Sequence, residues 1–408
     1  MSASAASDPR DTPAAWRRLA IAVLVGTIGS VGMWSFVVAL PAVQASFGVS
    51  RADAALPYTL TMAGFALGGV YMGRLSDRRG ILAPLLIGGA SLGAGFSAGA
   101  AAPSLFIYAL AQMLVGFGAS ASFAPIMADL SHWFVKRRGI AVALASCGNY
   151  LAGAIWPPLL QMGIDGAGWR TTHAVTGTIC LATLLPLAFL LRARAPKSAG
   201  TQGAAQGKFG APDLPERAIL ALLVVAGVAC CVAMAMPQVH LVAYCADLGY
   251  GPARGAEMLA IMLGFGIISR IVSGFVADRI GGLRTLLAGS FLQGLALTLY
   301  VFFDGLASLY VISALFGLFQ GGIVPMYAVI VREYFPASKA GGVLGIIIMA
   351  TLGGMALGGW MSGLVYDLTG NYQMAFLNGL AWNLVNIFIC VVLIRRERGP
   401  RITEWKTA

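Results

Sequence analysis

Gly73-Arg-Leu-Ser-Asp77-Arg-Arg-Gly80 recurs as Gly274-Phe-Val-Ala-Asp278-Arg-Ile-Gly281, 201 residues further along the chain. At the same offset Trp133-Phe134 meets Tyr334-Phe335, and Arg138 meets Lys339. Two motif pairs in one register mark an internal duplication. Around them lie apolar windows near 19–43, 54–74, 82–101, 104–128, 140–162 and 171–193, then 218–246, 256–277, 284–303, 307–331, 341–365 and 373–394. Each suits a helix of roughly 20 residues, the length that crosses about 30 Å of hydrocarbon. The reading is an all-α membrane protein of twelve transmembrane helices in two six-helix bundles, with a substrate expected near the midplane between the repeats.

Composition agrees. Of 408 residues 58% are hydrophobic and 11% charged, with a mean hydropathy of +0.81. A soluble domain cannot cover its surface with so few charges. The expected organisation is a polar tail over 1–18, a bundle over 19–194, a linker over 195–217 rich in Ala, Gly, Pro, Gln and Lys, a second bundle over 218–395, and a tail over 396–408. The apolar run after Arg17 and Arg18 exceeds a signal-peptide core of roughly 7–15 residues, so it reads as a first span.

Under this topology 23 of the 27 Lys and Arg residues fall on the side of the termini, and only Arg51, Arg170 and Arg254 on the other. That bias places both termini in the cytoplasm of a multi-pass inner-membrane protein. It also accounts for the net charge of +11 without a nucleic-acid partner. The six cysteines have neither metal-ligand nor redox spacing, and no Walker loop, HExxH or G-x-S-x-G motif stands in a matching context. Catalysis, ATP-driven pumping, a cofactor and a metal are therefore not expected.

The remaining cation is Arg270, inside the apolar stretch from Glu257 to Ala277, which offers no acidic residue at membrane depth. A cation in such a place is expected to receive an anion. Asp278 lies eight residues on, about 12 Å at 1.5 Å per residue, so Arg270 is too deep to snorkel to the interface. The 201-residue offset maps it onto Gly69, in a glycine-rich face of the second span.

The Gly-x-x-x-Asp-Arg-x-Gly element resembles the loop signature of the major facilitator superfamily, here in both halves. The resemblance implies conformational roles for Gly73, Asp77, Arg78, Gly80, Gly274, Asp278 and Arg279, with Asp77 facing the helix start near Ala340 and Asp278 the one near Gly139. Ile81 and Leu82 depart from the pattern, where basic residues are common. Asp129, near the inner end of the fourth span, belongs with the cytoplasmic gate. Glycines at four-residue spacing (Gly64 and Gly68, Gly69 and Gly73 on span 2; Gly354 and Gly358, Gly359 and Gly363 on span 11) permit close helix approach. In the superfamily these two helices meet.

Gly264-Phe-Gly-Ile-Ile-Ser269-Arg270 resembles helix 8 of the monocarboxylate transporters and the oxalate/formate antiporters. Gly116-Phe-Gly118, Trp133-Phe134, Arg138-Gly139 and Asn149 resemble the same group. The resemblance implies that Arg270 binds a carboxylate, for which a bidentate guanidinium is suited. Gly266 stands where animal monocarboxylate transporters typically carry Asp, and span 11 lacks the Lys of oxalate carriers. One buried cation favours a monoanion over a dianion.

His240, beside Pro237, is the protein group considered for proton transfer. Trp34, Ser35, Ser120, Ser122, Asn149, Tyr150, Gln238, Tyr244, Gln320 and Tyr327 are candidate lining residues. The expected function is alternating-access transport of a small organic monocarboxylate, lactate- or pyruvate-like or aromatic, with proton symport. Anion exchange of the oxalate/formate type and efflux of drug-like compounds are the alternatives, and a non-transporting sensor is disfavoured. The expected partners are the organic anion, a proton or counter-anion and lipid, for a carrier that works as a monomer.

Overall fold

The computed structural model describes residues 10–193 and 211–397. Residues 1–9, most of the expected linker and the tail beyond 397 lie outside the described residues. The first crossing consists of α1 (Pro13–Gly29) and α2 (Val31–Phe47), joined at Ser30, whose N–H still bonds Gly26 O at 3.0 Å. α3 (Arg51–Arg79) and α4 (Leu82–Ala100) follow, and the fourth crossing is divided into α5 (Leu105–Ser120) and α6 (Ala124–Trp133). α7 (Arg138–Leu190) is 53 residues long and turns at Gly168, where φ is 78° and ψ is 160°. At about 1.5 Å per residue it would span more than twice a bilayer, so it makes two crossings.

The second series is α8 (Glu216–Asp247), α9 (Pro252–Ile280), α10 (Gly282–Phe302), α11 (Leu306–Gln320) with α12 (Ile323–Tyr334), α13 (Ala337–Thr369) and α14 (Tyr372–Arg395). Among the described residues, ten stretches are long and apolar enough to cross a membrane. One of them, Ile140–Leu190, contains the turn at Gly168, and α3 is also of crossing length with its charges gathered at its ends. The described residues thus make twelve crossings. Phe106, Met162 and Phe388 are 70%, 72% and 67% exposed, an outward apolar surface suited to lipid.

The duplication extends to the helix boundaries. Adding 201 to the bounds of α3 gives those of α9, and adding it to the start of α5 gives the start of α11. Gly48 and Gly249, and Gly80 and Gly281, are pairs at the same offset with φ of 63° and 79°, and of 80° and 87°. A side chain at such φ is strained. The last glycine of each loop motif is thus required by the backbone.

Two compact units are present. The first contains the chain to Ala39 and Ala63–Thr201, the second Leu40–Met62 and the chain from Gln202. The end of α2 and the first turns of α3 thus group with the second repeat. In the first unit α4 packs on α5 and α7, and α1 on α7. In the second, α8 touches α9, α13 and α14, α11 lies on α9, and α10 lies on α11, α12 and α14.

Glycines set the tightest approaches. A Cβ at Gly64 would stand 1.9 Å from Met113 O, and one at Gly68 2.6 Å from Phe117 O, so these glycines serve α5. The expectation that they meet the eleventh span is corrected on this point, and a Cβ at Gly69 or Gly73 would meet nothing within 4 Å. On α13, Gly354 and Gly358 pack on α8, against Val228 O and Val232 O. Gly359 and Gly363 meet Tyr58 and the Arg51–Ala52 backbone of α3. Close approach needs a glycine on only one partner, and α13 supplies it here.

Candidate substrate site and gating elements

α9 meets α11 and α12 along Met262, Gly266, Ser269 and Ser273. Cβ atoms at Gly317 and Gly321 would lie 1.9 Å from Met262 O and 2.4 Å from Gly266 O, and Gly322 N–H donates to Ser269 Oγ at 3.0 Å. Contact register rises together on both sides, so the helices run parallel. At 100° per residue Arg270 stands about 70° from the middle of this seam, on the flank of buried Leu259, Leu263 and Ala277. The opposite flank exposes Ile268, Ile271 and Phe275. Arg270, half-buried, is therefore on the protein-facing flank.

Gln320 is turned from the seam in the opposite sense on α11, which for parallel neighbours directs it to the same flank as Arg270. It is fully buried, and neither end of its amide has a hydrogen-bond partner among the described residues. Tyr327, also fully buried, shares a hydrogen bond with Cys230 Sγ at 3.3 Å.

In the first unit Trp34 and Asn149 come together. The indole Nε1–H donates to Asn149 Oδ1 at 3.0 Å, and Asn149 Nδ2 lies 3.3 Å from Met33 Sδ. Tyr150 follows on α7, 6% exposed. Ser120 and Ser122 donate to Phe117 O and Ala119 O, each at 2.7 Å, and are spent on their own helix end.

His240 is buried with both ring nitrogens engaged. Nε2 is 2.7 Å from Gly359 O, so it carries the proton and donates. Nδ1 shares a hydrogen bond of 3.1 Å with the Tyr372 hydroxyl. Both ring nitrogens are thus engaged by protein groups.

Asp129 accepts from Arg18 Nε at 2.8 Å, while Arg18 Nη2 donates to Leu191 O at 2.9 Å and the guanidinium lies 4.6 Å from the Trp133 ring centroid. The pair ties α1 and α6 to the end of α7. Nearby, Asp11 accepts from the backbone N–H groups of Val135 and Lys136, each at 3.0 Å, ahead of α7. The Lys136 N–H, with help from Val135 and Arg137, holds the Asp11 carboxyl below its usual range. Asp77, Arg78, Asp278 and Arg279 are exposed.

Sequence reasoning missed three features. Arg51, treated as a loop residue, is buried and bound to Asp247 and Tyr372. The other two basic residues that the sequence sets apart from the termini are also engaged: Arg170 donates to Ala100 O and Ala102 O, and Arg254 pairs with Glu257. A cation on the side that the sequence reading expected to be poor in basic residues was the available signal. The third miss is a polar seam of Ser290, Asn383 and Asn386, in which both amides donate to Ser290 across α10 and α14.

The Major Facilitator Superfamily model matches residues 22–308 and 222–407. The chain belongs to this superfamily. Among curated facilitators it is 27% identical over 339 residues to "Monocarboxylate transporter 13" of Rattus norvegicus, covering 78% of this chain and 77% of that one. It is 23% identical over 297 residues to "Agnestins efflux protein AgnL12" of Paecilomyces divaricatus, covering 72% and 66%. A solved structure of the nucleoside transporter NupG, in a mutant form, superposes with a TM-score of 0.74 at 12% identity, over 93% of this chain and 99% of that one. That likeness shows the facilitator fold and nothing finer.

The absence of Asp at Gly266 now has a steric setting. Gly266 is where the α9 backbone touches that of α11 and α12, with its Cα 2.8 Å from a Cβ built at Gly321. The position is used for helix contact.

Proposed function

We propose that this facilitator is a secondary active carrier of a small organic monocarboxylate, working by alternating access with proton symport. It resides in the inner membrane as a monomer with both termini cytoplasmic. The observation that carries the reading is Arg270, half-buried on the protein-facing flank of α9 beside the glycine-tight seam with α11 and α12. A guanidinium offers a carboxylate two parallel N–H bonds. Within the same unit, buried Gln320 and Tyr327 supply further polar and aromatic groups. The coupled proton is carried by His240, which is hydrogen-bonded at both ring nitrogens, or by the substrate itself.

Proteoliposome uptake of labelled lactate, pyruvate and aromatic acids tests this. Loss of one partner of a buried charge pair costs about 3–5 kcal/mol, equivalent to roughly 100-fold or more in affinity. Arg270→Ala should lower uptake by that order, with Arg270→Lys restoring part of it. Unchanged uptake in Arg270→Ala removes the assignment. Uptake that follows an inward proton gradient supports symport; flux that follows only a counter-anion gradient replaces symport with exchange. Similarity to an efflux protein favours a second reading, in which the same site exports an organic acid; inside-out vesicles that accumulate the acid under a proton gradient while right-side-out vesicles do not would select it.

A further inference from the structure

At the end remote from the basic loops, the first turn of α3 is gripped by three helices of the second unit. The Arg51 guanidinium, its side chain 8% exposed, pairs with Asp247 of α8 at 3.1 Å, bonds the Tyr372 hydroxyl of α14, and lies 4.6 Å from the Tyr366 ring centroid of α13. Asp367 of α13 accepts the N–H groups of Arg51 and Ala52 at 2.9 and 2.7 Å, capping α3 from a neighbouring helix. Tyr372 continues through His240 to Gly359 O, and a Cβ at Gly359 would stand 2.8 Å from the Tyr58 ring of α3. One guanidinium, two carboxylates, a phenol and an imidazole thus close around a single helix start.

A structural cap alone would be expected in both halves of a duplicated fold. The 201-residue offset carries Arg51 to Pro252, and carries Asp247, Asp367, Tyr372 and His240 back to Ser46, Gly166, Thr171 and Ala39. None of the ionic or ring groups has a counterpart. The α9 start, with the same helix bounds as α3, forms without them.

We infer that Arg51 is the bolt of an outer latch, which with Asp247, Asp367 and Tyr372 holds the first turn of α3 on α8, α13 and α14 and must release in each transport cycle. The chemistry suits a part that opens. Asp247 is 31% exposed at the side chain and Asp367 is exposed, so water can take over the carboxylates when the bolt is drawn. The inference requires that the chain is a carrier and is indifferent to which acid it carries.

The test is accessibility. Ala55, one helical turn beyond Arg51 and fully buried, is changed to Cys, and a membrane-impermeant maleimide is applied from outside to right-side-out vesicles; the six native cysteines are buried and set the background. Labelling of A55C should be slow, and should rise at least about tenfold when Arg51→Gln or Asp247→Asn is added, as expected for a shift from a closed to an open population. Tyr372→Phe, which keeps every charge, should give a smaller rise. Should R51Q not fold, D247N decides alone, because it leaves Arg51 and both Asp367 bonds in place. Unchanged A55C labelling in D247N overturns the latch, and so does an equal rise at the native cysteines, which would report general loosening. Since this readout needs no substrate, it stands apart from the Arg270 uptake test.

Discussion

Replacing Gly317 by Ala probes the contact on which the Arg270 region is built. The added methyl carbon would stand 1.9 Å from Met262 O, with the Met262 carbonyl carbon and Cα at 2.7 and 2.9 Å. All three atoms are backbone, so no rotamer change makes room, and α9 and α11 must part by about 1.5 Å to restore an ordinary contact of roughly 3.5 Å. Overpacking costs typically 1–3 kcal/mol. With backbone on both sides the upper end applies, about 3 kcal/mol. At about 2.1 cal/mol/K of unfolding entropy per residue, this lowers the melting temperature by about 6 °C if the second unit unfolds by itself, and by about 3.5 °C if the whole chain unfolds together. The assay is a thermal melt in detergent at one scan rate, because unfolding of such proteins is commonly irreversible. Gly73→Ala is the matched control: it meets nothing within 4 Å and lies inside α3, where Ala is favoured over Gly by about 0.5–1 kcal/mol. A G317A protein that melts within about 1 °C of the parent, or a G73A protein that melts several degrees lower, would refute the steric account.

Three further outcomes follow from the geometry. Arg18→Ala leaves the 10%-exposed Asp129 carboxylate without its ion-pair partner, and should destabilise the first unit by about 3 kcal/mol, measured by the same melt; a double change with Asp129→Ala should recover part of the loss. Gly370, at φ 74° past the end of α13, should cost about 1–2 kcal/mol when changed to Ala, since the strain is in the backbone and no neighbour lies within 4 Å. Asp11 has its folded-state carboxyl held below the ordinary carboxylate value, so its contribution is present above that value and is lost as pH falls through the lower one. Asp11→Asn should therefore speed tryptic cleavage after Lys136 or Arg137 at neutral pH, and the melting difference between D11N and parent should stay flat from about pH 5 to 8; a difference that vanishes between about pH 5 and 6 contradicts this.

The crossings and the duplication were legible because each rests on a periodic or repeated signal that tertiary context does not rewrite. The motif pair at Gly73 and Gly274 predicted a register that the bounds of α3 and α9 and the left-handed glycines Gly80 and Gly281 obey. Arg270 stands out in the sequence because a charge in an apolar window is rare. Partner identity was not legible. Gly64 and Gly68 mark a close approach, but nothing local says that Met113 and Phe117 of α5 face them. Arg51 looked like any loop arginine, since its partners are 196, 316 and 321 residues away. His240 could be read as titratable from its type alone; only the spatial coincidence of Tyr372 and Gly359 shows both nitrogens taken.

The glycines that let α3 touch α5 lie on α3, as Gly64 and Gly68, whereas those that let α9 touch α11 lie chiefly on the α11 side, as Gly317 and Gly321, with Gly266 of α9 opposite Gly321. Equivalent interfaces thus keep their close spacing with the small residue moved to the other partner. A single helix is consequently not an interchangeable part: at the offset of 201 the Gly64 and Gly68 positions of α3 are Phe265 and Ser269 of α9, so α9 grafted in place of α3 would bring side chains against the Met113 and Phe117 carbonyls of α5. Helix pairs, exchanged together, are the smallest modules that could be recombined between the two halves of this chain.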